Sequence, residues 1–197
     1  LRWDLDSIGQ ERGAEWPLFE GPEPGSEHLL APLDRMEHGT IVLWEKLDRI
    51  VTDGFVANDM VELADHVEAH LAMIFHRLLD GHQPELRLVL AGKAVTAWDP
   101  YLIGHPSKAL ESPEYRILRT TGVTVQCHVL PHRDMLKPAE QEAAAGPGGW
   151  TQQEGFYVYR NRRLLLAGSW LGLGDGSKPW PRDDANRLAR IRLDIPN

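Results

Sequence analysis

Residues Gly155 to Leu166 constrain the fold more than any other stretch of this chain: Gly-Phe-Tyr-Val-Tyr-Arg-Asn-Arg-Arg-Leu-Leu-Leu. An aromatic and β-branched half is followed by an aliphatic half, with Asn161-Arg162 between them. That pattern predicts two short antiparallel strands folded at a two-residue turn. Asn accepts the left-handed backbone of such a turn, whereas Arg accepts it poorly. A strained tip carrying Arg160, Arg162 and Arg163 is expected to touch something. Further on, Ala189 to Ile195 alternates like a strand and is stopped by Pro196.

The remaining elements follow from periodicity and turn chemistry. Ala57 to Asp80 reads as a helix. Met60, Leu63, Ala64, Val67, Leu71, Ile74, Phe75 and Leu78 form its apolar stripe. Asn58 is the expected N-cap and Gly81 the stop. Thr40 to Trp44 and Val123 to Leu130 are predicted strands. Leu86–Leu90 and Ala94–Trp98 read as a hairpin around Ala91-Gly92-Lys93. Arg2 to Leu5 is a candidate short strand. Lys137 to Ala145 is a short helix with Pro138 in its first turn. Loops are expected at Gly21–Ser26, Ala145–Trp150 and Trp170–Trp180, and a helical turn or two within Arg182–Leu188. The order is that of an α/β (α+β) domain with a mixed, mostly antiparallel sheet and one long helix on one face. It reads as one domain over 1–197, with a lead-in over 1–37 and a core over 38–197.

The formal charge of the 197 residues is −8, which disfavours broad nucleic-acid affinity while leaving room for a local basic patch. No apolar run approaches the ~20 residues that span a bilayer, and no signal peptide is visible, so no membrane partner is expected. A lone cysteine, Cys127, excludes an internal disulfide, fits a reducing cytoplasm and is expected to be a buried structural thiol. The chain starts at Leu1 and stops just after a strand, as a segment of a longer protein would.

Three clusters invite chemistry. His66 and His70 share a helix face, but Glu68 stands ~200° round the helix from His66 and cannot join a metal there. No metal site is expected. His128, His132, Arg133 and Asp134 gather around Leu130-Pro131, where a His beside an Asp could be a general base. Yet no nucleophile elbow accompanies them, and Cys127 and His128 point to opposite faces of their strand. Gly172 to Gly176 lacks the strand–loop–helix setting of a phosphate loop. The strongest cluster is cationic: Arg160, Arg162 and Arg163 at the hairpin, then Arg187, Arg190 and Arg192 near the last strand. Arg190 and Arg192 share one strand face, read either as a solvated outer face or as a contact to phosphate, a neighbouring domain or an acidic partner.

Gly155 to Leu164 resembles the hairpin in the second domain of GHKL-type (histidine-kinase-like) ATPases, the group of gyrase, heat-shock 90 chaperones, MutL and MORC proteins. Ala189 to Pro196 resembles the later strand of that domain, and His38-Gly39-Thr40-Ile41-Val42 the strand that enters it. The likeness is nearest to bacterial MORC-like or heat-shock-90-like proteins, including Trp98-Asp99-Pro100 and Val129 to Arg133. The resemblance implies a transducer domain of the ribosomal protein S five domain-two type. Such a domain packs on an N-terminal ATPase domain of the same chain, relays nucleotide state, and allows a homodimer of the full-length protein. ATP and Mg would belong to that parent, which would be the ATPase, and no cofactor to these residues. No catalytic residue transfers. Arg160, Arg162, Arg163 and Lys137 are candidates for contact to the missing domain or its phosphate. The usual phosphate-sensing lysine would lie beyond Asn197. Two other readings stay open: an interaction module using the Arg hairpin, and a small metal-dependent or hydrolytic enzyme.

Overall fold

The computed structural model describes residues 1–4, 18–107, 110–117, 122–175 and 178–197. Leu5, at the end of the first candidate strand, and Gly176, at the end of the glycine-rich loop, lie outside the described residues. The chain divides into two compact units, Leu1–Phe55 and Val56–Asn197.

In the first unit, Arg2 bridges to Phe19, and its guanidinium lies 5.0 Å over the Phe19 ring while pairing with Glu23. Helix α1 (Glu27–Leu30) runs into a 3-10 turn at Ala31–Arg35. Thr40 to Trp44, expected as a strand, is not one. A strand exists only where a ladder partner takes up its backbone groups, and Val42 and Trp44 are 73% and 75% exposed.

The second unit holds a six-stranded mixed sheet with a long, broken helix packed against it. Helix α2 spans Ala57–Ile74 and breaks at Phe75, and the single turn α3 follows at His76–Leu79. The cap is not Asn58, whose side chain instead donates to Glu62 at 2.8 Å. Asp59 accepts from the Val56 amide at 2.9 Å. Gly81 ends the helical run at φ 97°. The predicted stripe is only partly used. Met60 and Val67 are 45% and 38% exposed, and the buried residues are Ala72, Met73 and His76. The sheet covers only the C-terminal half of the helix.

The strands are β1 (Val89–Leu90), β2 (Lys93–Ala94), β3 (Leu110–Glu111), β4 (Tyr115–Ile117), β5 (Val123–Val129), β6 (Gly155–Arg160), β7 (Arg163–Ala167), β8 (Gly174–Asp175), β9 (Lys178–Pro179) and β10 (Ala189–Ile195). β1–β2 and β8–β9 are separate two-stranded hairpins. The first keeps its expected turn, Ala91 and Gly92 at φ 49° and 82°, but pairs only two residues a side. The main sheet runs β3–β5–β10–β6–β7, with β4 also on β5. The β6–β7 hairpin folds at Asn161 and Arg162, with φ of 51° and 64°, as a primed turn requires. The chain then returns across the sheet, and β10 enters between β5 (antiparallel) and β6 (parallel). Residues 182–188 are turns rather than helix. Helix α4 (Pro138–Ala145) has Pro138 in its first turn and Glu140 accepting from the Lys137 amide. It presents the Ala143 carbonyl to Trp98 Nε1 at 2.8 Å. A Cβ on Gly146 would stand 2.2 Å from the Trp98 ring, so this loop is packed rather than free.

The register decides the character of each face. Arg190 lies between Gly155 and His128, Arg192 between Tyr157 and Gln126, and Asp194 between Tyr159 and Thr124. This polar and aromatic set faces the helix. Met73, Tyr101, Tyr157, Tyr159 and Leu164 form its buried cluster. The alternate set, with Val158, Ile191 and Leu193, is the outer face and is only half-buried. One of the two readings of Arg190 drops out here, and the expectation for Cys127 is corrected. Arg190 is 0% exposed rather than part of a solvated outer face. Cys127, on the outer face, is exposed rather than buried.

Candidate functional site

The helix-covered face contains the main concentration of chemistry. Tyr101 donates to the Tyr159 hydroxyl at 2.9 Å, and that hydroxyl lies 2.8 Å from His76 Nε2. The Tyr101 ring lies 4.5 Å from His128, between centroids. Only one direction satisfies every buried proton in the chain of three: Tyr101 to Tyr159 to His76 Nε2. The reverse direction would strand the Tyr101 proton, whose one partner among the described residues is Tyr159. A neutral His76 therefore carries its own proton on Nδ1.

Burial holds His76 neutral. It lowers the imidazole to about 4, helped by the adjacent Arg77 cation and opposed by Asp80. Burial also lowers His128, with Arg192 adding to the effect, and it pushes the hydroxyls of Tyr101, Tyr157 and Tyr159 upward. These tyrosines are hydrogen-bonding groups, not proton donors at neutral pH.

The relay borders an open pocket of about 300 Å³. Its polar lining is His76, Arg77 and Asp80 from the α3 region, Asp99 and Tyr101 from the loop after β2, and Arg192 from β10. An ion-pair chain crosses the sheet beside it. Arg77 meets Asp194 at 2.5 Å, Asp194 meets Arg192 at 3.2 Å, and Arg192 also pairs with Glu114. Asp99 accepts from the amides of Tyr101 and Ile103 at 2.8 and 2.5 Å. Its carboxyl is nevertheless raised, by burial first, against those two bonds, with Asp80 adding to the rise.

A pH prediction follows from His76. Its folded value is about 4 and its unfolded value 6.5. Between the two, the unfolded chain binds the extra proton. The stability is thus complete above pH 6.5 and lost as pH falls towards 4. The shift corresponds to roughly 3 kcal/mol. His128, shifted the same way, adds to it. Urea unfolding at pH 7 and pH 4.5 measures the loss, and equal midpoints would count against it.

The sequence-derived candidates lie elsewhere. Arg160 is exposed at the end of β6. Arg162 pairs with Glu85 and donates to the Arg77 carbonyl, and the Arg163 guanidinium lies 5.5 Å over the Phe75 ring. The tip therefore does touch something: two of its three cations hold the helical run at its break. Lys137 is on another element, exposed and 3.7 Å from Glu140. His66 and His70 are exposed, His132 lies 3.3 Å from Asp134 at the surface, and His128 is buried away from both. Among the described residues, no group of three or more His, Cys, Asp or Glu side chains could hold a metal ion, and no helix is long and apolar enough to cross a membrane.

The residues missed from sequence are His76, Asp80, Asp99, Tyr101 and Tyr159. One signal was available. Tyr157 and Tyr159 alternate as Arg190, Arg192 and Asp194 do, so both strands carry one polar face, and pairing them builds a polar layer. Compared with known proteins, this chain matches no family model, and no curated protein or solved structure matches it.

Proposed function

We propose that this chain is a transducer-type domain of a GHKL-type ATP-binding protein. It is itself non-catalytic, packs on an N-terminal nucleotide domain, and relays nucleotide state. The observation that carries the reading is the adjacency of β6 and β10. The two segments with the strongest family likeness, far apart in sequence, pair in parallel over six positions from Arg190↔Gly155 to Ile195↔Arg160. On this reading the mixed sheet is of the ribosomal protein S five domain-two type, and ATP and Mg are bound by the nucleotide domain. The hairpin grips the helix end through Arg162 and Arg163, so a load on the tip displaces the α2–α3 break. Arg160 remains exposed to meet a neighbouring domain. The acidic balance and the internal use of Arg162 argue against the nucleic-acid alternative.

The test uses the intact protein. Arg160→Glu with Arg163→Glu is expected to lower ATP turnover about tenfold, the loss of one interfacial charge contact. The 197-residue chain alone turns over no ATP. Turnover by the isolated chain, or an unaffected double variant, would overturn the assignment.

A further inference from the structure

The main sheet buries its polar side under the helix and turns its apolar side outward. The register draws that outer side in unbroken rows. Tyr115, Val125, Leu193, Val158 and Leu166 stand in one line across β4, β5, β10, β6 and β7. Beside it run Cys127, Ile191 and Phe156. None of them carries a charge. Tyr115 is 54% exposed, Cys127 is exposed, and the others are half-buried. Trp170 meets Phe156 edge-on, 6.4 Å between ring centroids, and so covers one corner. A contiguous apolar patch of this width marks a surface that another body covers.

Size and charge decide what fits there. The longest row crosses five strands, and β5 and β10 are each seven residues long. At ~4.8 Å between strands and ~3.3 Å per residue, the face covers roughly 550 Å² in plan. Side-chain relief raises the accessible area towards the ~800 Å² that each partner of a stable pair buries. A contact without charged side chains at its centre has the composition of a homodimer interface. Each chain carries a formal charge of −8, so two copies approach best through a surface that adds no like charges. A twisted sheet face is also its own complement, because two such faces stack ~10 Å apart with their strands within ~30°.

We propose that two copies of this chain pair face to face through the outer side of this sheet, as a two-fold β-sandwich. The middle strand β10 supplies the centre of the contact through Ile191 and Leu193. Tyr115, and Val129 with Leu110 opposite it, lie towards the edge. The Cys127 thiol, exposed in the single chain, is enclosed by the pairing. The contact needs neither a nucleotide nor a nucleotide domain, so it and the transducer reading can each fail alone.

Sedimentation velocity of the 197-residue chain tests it. The mass is expected to be that of two chains at high concentration and of one on dilution. Tyr115→Lys and Val129→Lys, at positions 54% and 45% exposed, leave the single chain folded, which urea unfolding checks. Each raises the dissociation constant about a hundredfold, because an unpaired ammonium enters an apolar contact. Alkylation of Cys127 by iodoacetamide is slow in the paired wild type and fast in the dilute wild type and in both variants. The proposal is overturned if the chain is single at every concentration, if both variants pair as tightly as the wild type, or if Cys127 reacts equally fast in paired and dissociated chains.

Discussion

Tyr159→Ala is expected to remove about 5 kcal/mol from the stability of the Val56–Asn197 unit. The ring is 0% exposed and central to the core cluster. Truncating a buried aromatic costs ~3–5 kcal/mol in lost burial and residual cavity. The hydroxyl also joins Tyr101 to His76, so its loss leaves two buried polar groups unpaired, at ~1–3 kcal/mol each in the worst case. The Arg77 guanidinium, 4.7 Å over the ring, loses its aromatic seat as well. Domains of this size hold ~5–15 kcal/mol in total, so the variant stands near the edge of folding. Tyr159→Phe separates the contributions. It keeps the ring and removes the relay, and should cost ~1–3 kcal/mol. Urea unfolding of both variants is the measurement. An alanine variant within 1 kcal/mol of wild type, on the ~1 kcal/mol scale of an ordinary substitution, would show that the core is not built on this residue.

The second large effect concerns buried opposite charges. Arg190 and Glu154 are both 0% exposed. Arg190 Nη1 donates to the carbonyls of Arg187 and Ala189 at 2.7 and 3.0 Å, while Nε and Nη2 have no hydrogen-bond partner within reach among the described residues. Glu154 Oε1 accepts from Trp170 Nε1 and the Asp183 amide at 3.2 and 3.0 Å, and Oε2 has no partner among the described residues. Burial lowers the Arg190 guanidinium, and the nearby Tyr157 and Glu154 oppose that shift. Arg190→Met keeps much of the volume but removes the Nη1 bonds to the Arg187 and Ala189 carbonyls and a nearby cation whose field opposes the Glu154 charge, although the two side chains form no ion pair. The expected cost is ~1–3 kcal/mol for each polar group left unsatisfied. Adding Glu154→Gln should recover part of it, because the neutral amide needs no nearby cation. A double-mutant cycle reads the coupling directly. No recovery in the double variant would mean that the two charges act independently.

The elements legible in the sequence were those defined within a few residues. The hairpin at Asn161-Arg162 needed only alternation and a turn, and both residues take positive φ. Val123 to Val129, Ala189 to Ile195 and Pro138 to Ala145 likewise announced themselves by period and by proline placement. Thr40 to Trp44 carried the same strand signal and formed no strand, because β propensity acts only when a partner supplies the ladder. The burial expected for Cys127 and the outer-face reading of Arg190 failed for one reason. An alternating strand has a polar and an apolar face, and periodicity does not say which one the helix will cover.

By itself, then, the sequence determined the local conformations: where the helical run starts and stops, where the chain reverses, and which residues share a side of each strand. Only the tertiary structure decided that β10 inserts between β5 and β6, that the polar side faces inward, and that His76, Asp80, Asp99 and Tyr101 meet at one pocket. Turn chemistry and period are short-range properties of the backbone. Pairing order and burial are set by contacts between residues more than a hundred positions apart, such as Arg77 with Asp194, and no local pattern encodes them.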